Sequence, residues 1–151
     1  MQAQERGHEN SQKSLSRFSG ATYSPKVRRE SNKMSRRLCF ALDLVNDAAK
    51  IAEYEQFHRP GGVWPEIVDD IHAQGIEGME IWRTGDRMVM IATVADDYPR
   101  ARDIPAEYDE WESLMWAFQK ALPHAVPGQK WVPMTRIFDL AQQKGVVAPA
   151  D

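Results

Sequence analysis

One cysteine, Cys39, serves the whole chain of 151 residues. Alone it makes no internal disulfide and no cysteine-built zinc site, and a reducing cytosol is the simplest setting for it. Long apolar runs are also missing: no stretch approaches the ~20 residues of a membrane span. So is an excess of positive charge. The formal net charge is −3 and the pI about 5.8, which leaves no electrostatic footprint for nucleic acid. There is no glycine-rich phosphate loop and no nucleophile elbow, so phosphate and nucleotide chemistry find no support. His8, His72 and His124 are scattered, and no three or four donors fall at ligand spacing, so no metal is expected. Arg36-Arg37-Leu38-Cys39-Phe40-Ala41-Leu42 has a passing look of a twin-arginine signal. Asp43 interrupts its apolar part and no small-residue cleavage site follows, which excludes that reading.

What is present falls into three parts. Residues 1–33 are rich in Gln, Ser, Arg, Lys, Glu and Asn, with scattered Leu15, Phe18, Tyr23 and Val27. Such a composition cannot bury enough apolar surface to offset its ordering entropy, so a disordered tail is expected, or a start codon placed upstream of a gene that begins at Met34. Residues 34–141 are patterned as one domain, and 142–151 read as a second tail.

Within the domain, Leu38, Phe40, Leu42 and Leu44 alternate with Cys39, Ala41 and Asp43, the period of a strand. Asn46 or Asp47 can cap a helix carrying Ile51, Tyr54 and His58 on one face. Pro60-Gly61-Gly62 ends it. Pro65 suits the first turn of a second helix, with Trp64, Ile67, Val68 and Ile71 at i, i+3, i+4 and i+7, and Gly75 as its C-cap. Gly78–Arg83 and Arg87–Val94 read as strands joined by a Gly85-Asp86 turn. The stripe Tyr108, Trp111, Met115, Phe118, Leu122 predicts a helix, and Trp131–Leu140 predicts a last strand.

Strand, helix pair, strand, strand, helix, strand is the ferredoxin-like βαββαβ order, an α+β fold. It leaves one sheet face without helices. Cys39, Ala41, Val89 and Ile91 make that face apolar, so it needs a lid, and a second copy of the chain is the simplest. Two such sheets face to face give a dimeric α+β barrel.

Chemistry concentrates between Tyr54 and Glu66. Tyr54 and His58 share a helix face one turn apart, a Pro-Gly-Gly break follows, and Trp64-Pro65-Glu66 opens the next helix. An imidazole, a phenol and an indole at a helix junction suit a small polar ligand. The plainer reading is a helix C-cap followed by a core tryptophan, and spacing alone favours it slightly. Trp116 lies ~100° round from Met115, at the edge of its stripe, and either packs on a neighbour or walls a pocket. Sugars favour such walls, given fixed polar partners at the rim.

Residues 37–140 resemble the L-rhamnose mutarotase family, closest to its branch associated with L-fucose. Tyr54-(x3)-His58 with Trp64-Pro65-Glu66, Met79-Glu80-Ile81-Trp82-Arg83, Trp111-Glu112-Ser113-Leu114-Met115-Trp116, Gly128–Met134 and Arg136-Ile137-Phe138 carry the resemblance. It implies a dimeric barrel that interconverts the anomers of a monosaccharide without a cofactor. It assigns the proton donor to His58 and sugar binding to Tyr54. The family's tryptophan pair falls on Met115-Trp116, and a further sugar-contacting tyrosine of the rhamnose enzymes falls on Met79. Those two departures favour L-fucose over L-rhamnose. The link Pro60-Gly61-Gly62 is also longer than usual in the family.

Glu80 and Trp82 join the site as candidate substrate contacts. The base that complements His58 stays open among Tyr54, Glu66 and Glu80. Two competitors remain: a non-catalytic ligand-binding module of the same fold, and a cofactor-free or haem-handling monooxygenase. One expectation concerns the tail. A chain starting at Met34 should keep the melting temperature and activity of the full chain, checked by thermal denaturation and anomer-exchange assays.

Overall fold

In the computed structural model, residues 35–143 are described; the predicted tail 1–33 and most of the predicted tail 142–151 lie outside them. The chain enters strand β1 at Arg36 and leaves it at Leu44. Inward alternation works as expected: Leu42 and Leu44 are fully buried. Asp47 then caps helix α1 (Ala48–Phe57), its carboxylate accepting from the Lys50 amide at 2.9 Å. Helix α2 (Pro65–Ala73) begins on its proline and ends ahead of Gly75, whose φ of +94° is open to glycine at little cost. Strands β2 (Ile76–Thr84) and β3 (Arg87–Val94) form the hairpin, turning at Gly85-Asp86.

With a short strand β4 (Gln119–Lys120), the sheet order β2-β3-β1-β4 is that of the ferredoxin-like motif, with β1 antiparallel to β3. Register sorts its two faces. Phe40 lies opposite Met90, Leu42 opposite Met88 and Leu38 opposite Ala92, all turned toward the helices. Cys39 opposite Ile91 and Ala41 opposite Val89 turn the other way. The helix side holds the main core, in which Leu42, Leu44, Tyr54, Ile67, Met88, Trp111, Met115 and Phe118 pack together.

Two elements depart from expectation. Helix α3 runs only from Tyr108 to Trp116. Phe118 and Leu122 are buried as the stripe required, yet they flank a two-residue strand, β4 (Gln119–Lys120), paired to Asp43 and Leu44. Burial selected apolar residues there whatever the backbone did. The expected strand Trp131–Leu140 shrinks to β5 (Val132–Pro133), which shares the outer edge of β1 with β4. One more bond, Met134 amide to Cys39 carbonyl at 2.8 Å, prolongs it. Beyond that Ile137 is 95% exposed and Phe138 63% exposed, because a single chain offers them no surface.

Charge is buried at one point in particular. The Asp70 side chain, 2% exposed, takes Arg102 Nε at 2.6 Å and Nη2 at 3.0 Å, with Gln74 Nε2 donating at 3.1 Å. This joins α2 to the loop before α3. The Arg83–Glu55 pair at 2.7 Å sits half in solvent. Asp70→Ala strands a partly buried guanidinium and should cost about 3 kcal/mol. Glu55→Ala should cost under about 1 kcal/mol. Denaturant midpoints of the two variants check the contrast.

Candidate active site

The last turn of α1 places the first two site residues. His58 is the C-cap, and its own amide turns to Glu55 at 3.2 Å, leaving the Tyr54 carbonyl without a helical partner. The imidazole takes that place: Nδ1 lies 2.8 Å from the Tyr54 oxygen. A carbonyl only accepts, so Nδ1 carries hydrogen, and Nε2 is the nitrogen left for chemistry. The ring also stacks on the Tyr54 phenol with centroids 4.3 Å apart and meets Trp111 edge-on at 6.0 Å. Its orientation is thus fixed by one hydrogen bond and two rings.

The glycine link completes the junction. Gly62 returns its amide to the Arg59 carbonyl at 2.7 Å, and a Cβ on it would lie 2.5 Å from the Phe57 carbonyl oxygen. The Pro60-Gly61-Gly62 link folds tightly against the end of α1. Trp64 then packs edge-on against Trp111 at 5.2 Å, so the plainer reading of Trp64 as a core residue holds alongside the site.

A cavity of about 340 Å³ lies between the helices and the inner face of the sheet. Tyr54, His58, Met79 and Met115 all line it. Glu80, Trp82 and Trp116 do not. Met79 and Ile81 point inward along β2, so the alternation sends Glu80 and Trp82 to the opposite face, where the indole donates to Glu80 at 3.2 Å. Trp116 lines an open groove beside the cavity instead, under the Lys130 ammonium at 4.8 Å. Glu66 is exposed at the start of α2 and also misses the cavity.

Sequence reasoning missed Glu112, Lys130 and Gln119, three polar residues that the fold brings in. Glu112 lines the cavity and pairs with Lys130 at 2.7 Å. Gln119 lines it from β4 and donates to the Tyr54 hydroxyl at 3.3 Å. Glu112 stood in plain view inside the Trp111–Trp116 segment. Gln119, between buried Phe118 and Leu122, was a polar residue in an apolar stripe, a signal easily passed over.

Burial sets the proton affinities. It pushes the Tyr54 phenol up to about 12, with the Gln119 hydrogen bond pulling down and the Glu112 charge adding to the rise. Tyr54 therefore keeps its proton at neutral pH. His58 is lowered from 6.5, chiefly by burial, with the bond to the Tyr54 carbonyl opposing. At neutral pH its ring is uncharged and Nε2 is a bare acceptor.

A sequence profile of L-rhamnose mutarotase matches residues 37–140, more than half the chain. The chain belongs to the L-rhamnose mutarotase family. Its members named as mutarotases are carbohydrate isomerases, and the chain is one of that class by descent. An L-fucose mutarotase of Xanthomonas campestris pv. campestris is 49% identical over 115 residues, covering 73% of this chain and 92% of that protein. A UPF0734 protein of Dictyostelium discoideum is 33% identical over 109 residues, covering 66% of this chain and 86% of its own length. The crystal structure of an L-rhamnose mutarotase from Formosa agariphila superposes with a TM-score of 0.50 at 20% identity, over 70% of this chain and 99% of that one. That likeness bears on the fold, and it agrees with the ferredoxin-like order.

The lowered affinity of His58 has a sign that stability can read. Between 6.5 and its lower folded value, the unfolded chain binds the proton and the folded chain does not. His58 thus contributes no penalty above about pH 6.5, and stability falls as pH drops through that window. Melting temperatures between pH 7.5 and 5.5 should decline more steeply in the wild type than in His58→Gln.

Proposed function

We propose that this mutarotase acts on an L-6-deoxy sugar, L-fucose in preference to L-rhamnose, with His58 carrying the proton. The observation that supports the role of His58 is its anchored ring in the cavity, with Nδ1 committed to the Tyr54 carbonyl. Substrate preference rests on the 49% identity to a protein named L-fucose mutarotase and on the methionines lining the cavity at 79 and 115.

Ring opening moves one proton from the anomeric oxygen to the ring oxygen. The C1–O5 bond breaks, its electron pair goes to O5, and C1=O1 forms. Both oxygens sit on the same carbon, so one nitrogen can serve both. Neutral Nε2 takes the proton from the anomeric hydroxyl, and the resulting imidazolium gives it to the ring oxygen. The Tyr54 carbonyl, which accepts from Nδ1–H, stabilises the transient positive charge. After rotation about C1–C2, closure on the other face reverses the steps. His58 is thus the donor expected from the family resemblance, and the base as well. Tyr54 donates its hydroxyl hydrogen to the sugar, and Met79 and Met115 give apolar walls.

The chain acts as a homodimer in this reading. Cys39, Ala41, Val89 and Ile91 form an apolar sheet face that carries no helix, with Trp82 on it 61% exposed. Exposed Ile137, Phe138 and Leu140 give apolar side chains for a partner to cover. A second sheet closes the barrel. A reducing cytoplasm suits the free Cys39. Among the described residues no helix is long and apolar enough to cross a membrane.

NMR of anomer exchange tests the reading. The wild type should speed exchange of L-fucose more than that of L-rhamnose, measured side by side. His58→Ala should lose at least ~10²-fold. The enzymatic rate should be level at neutral pH and fall as acid protonates His58. Near-normal exchange in folded His58→Ala, or a rate that rises toward acid, would refute the proton-carrying role.

A further inference from the structure

Among the described residues, Gln119 Oε1 is the buried side-chain polar atom with no hydrogen-bond partner. Its residue is 8% exposed, on a strand of two residues, and it lines the cavity. Its other amide atom, Nε2, donates to the Tyr54 hydroxyl at 3.3 Å. A buried acceptor left bare is costly, and proteins keep such atoms where a ligand completes them.

Reversing the amide does not remove the vacancy. The phenol would then donate to Oε1, and the NH2 would be left bare instead. The last torsion of glutamine is soft, so the amide can turn to meet a ligand. In the orientation observed, Nε2 occupies a lone pair of the phenol oxygen, and the phenol hydrogen remains to be donated elsewhere. Toward a ligand the two side chains offer the phenol hydrogen as donor and Oε1 as acceptor. A hydroxyl group is both at once, and it satisfies such a pair completely. A methyl group, a C–H edge or an aromatic ring does not.

We propose that Gln119 is a specificity-determining residue, whose amide together with the Tyr54 hydroxyl reads one ring hydroxyl of the sugar. The proposal rests on the mutarotase reading above and deepens it. It separates two duties within the cavity. His58 moves the proton at the anomeric carbon, and Gln119 selects the sugar by a hydroxyl elsewhere on the ring. A site built to hydrogen-bond a substrate hydroxyl discriminates strongly against the analogue lacking it, because the protein's own groups are then left unpaired.

The test uses the full chain and four sugars: L-fucose and its 2-, 3- and 4-deoxy analogues, each missing one ring hydroxyl. Anomer exchange is followed by NMR across sugar concentration for the wild type and for Gln119→Met, which keeps size and removes both polar atoms. In the wild type, one of the three analogues should lose ~10-fold or more in kcat/KM. Gln119→Met should lose a similar factor on L-fucose, mostly in KM, and little further on that same analogue. Equal, additive losses on all three analogues would overturn the proposal, as would an unchanged KM for L-fucose. If Gln119→Met fails to fold, the wild type still decides: three analogues as good as L-fucose would overturn it. A wild type that speeds no exchange at all would overturn the mutarotase reading and this proposal with it.

Discussion

The hydrogen bond from the His58 ring to the Tyr54 carbonyl is the contact on which the rest of the site depends. A helix that stops leaves carbonyls without partners, and α1 stops where one is needed. Filling that vacancy with an imidazole satisfies the backbone and fixes the tautomer in one stroke. The same turn brings Tyr54 under the ring and aims its hydroxyl at Gln119. Gly62 protects the arrangement, since any larger residue would push on the Phe57 carbonyl in the final turn of α1.

Around this contact the cavity combines two environments. Its sheet side is Phe40 with methionine, isoleucine and alanine, broken by Gln119 on β4. Its helix side carries Tyr54, His58, Glu112 and Asp70, each held by a named partner. The apolar wall desolvates His58 and favours its neutral form, while the Tyr54 carbonyl that accepts from Nδ1 opposes the shift. Asp70 serves differently: both of its oxygens are engaged by Arg102, which makes it a brace of the cavity wall.

Much of this was legible in the residues. Alternation in Leu38–Leu44 and Arg87–Val94, the Asp47 cap, Pro65 and Gly75 marked their elements because each is a local requirement of backbone geometry. Tyr54 and His58 were legible as a pair because four residues make one helical turn. The end of α3 was not legible. Phe118 and Leu122 continue the helical period into a segment that is buried without being helical, and no glycine or proline intervenes before Pro123. Glu80 and Trp82 were grouped with Met79 by adjacency in sequence, whereas a strand sends neighbours to opposite faces. The strand expected through Leu140 has the side chains of a strand, yet its pairing with β1 stops at Met134.

The shortness of β4 has a consequence for how such enzymes diverge. Gln119 is held in register by two residue pairs, Asp43 with Lys120 and Leu44 with Gln119. A slip of one position would turn its side chain to the other face and offer the cavity a neighbour instead. His58, the proposed proton carrier, is by contrast rooted at the end of a ten-residue helix. With the roles proposed for Gln119 and His58, descendants of this chain can change which sugar they admit through a small edit to a two-residue strand, while the helix end that carries the proton stays as it is.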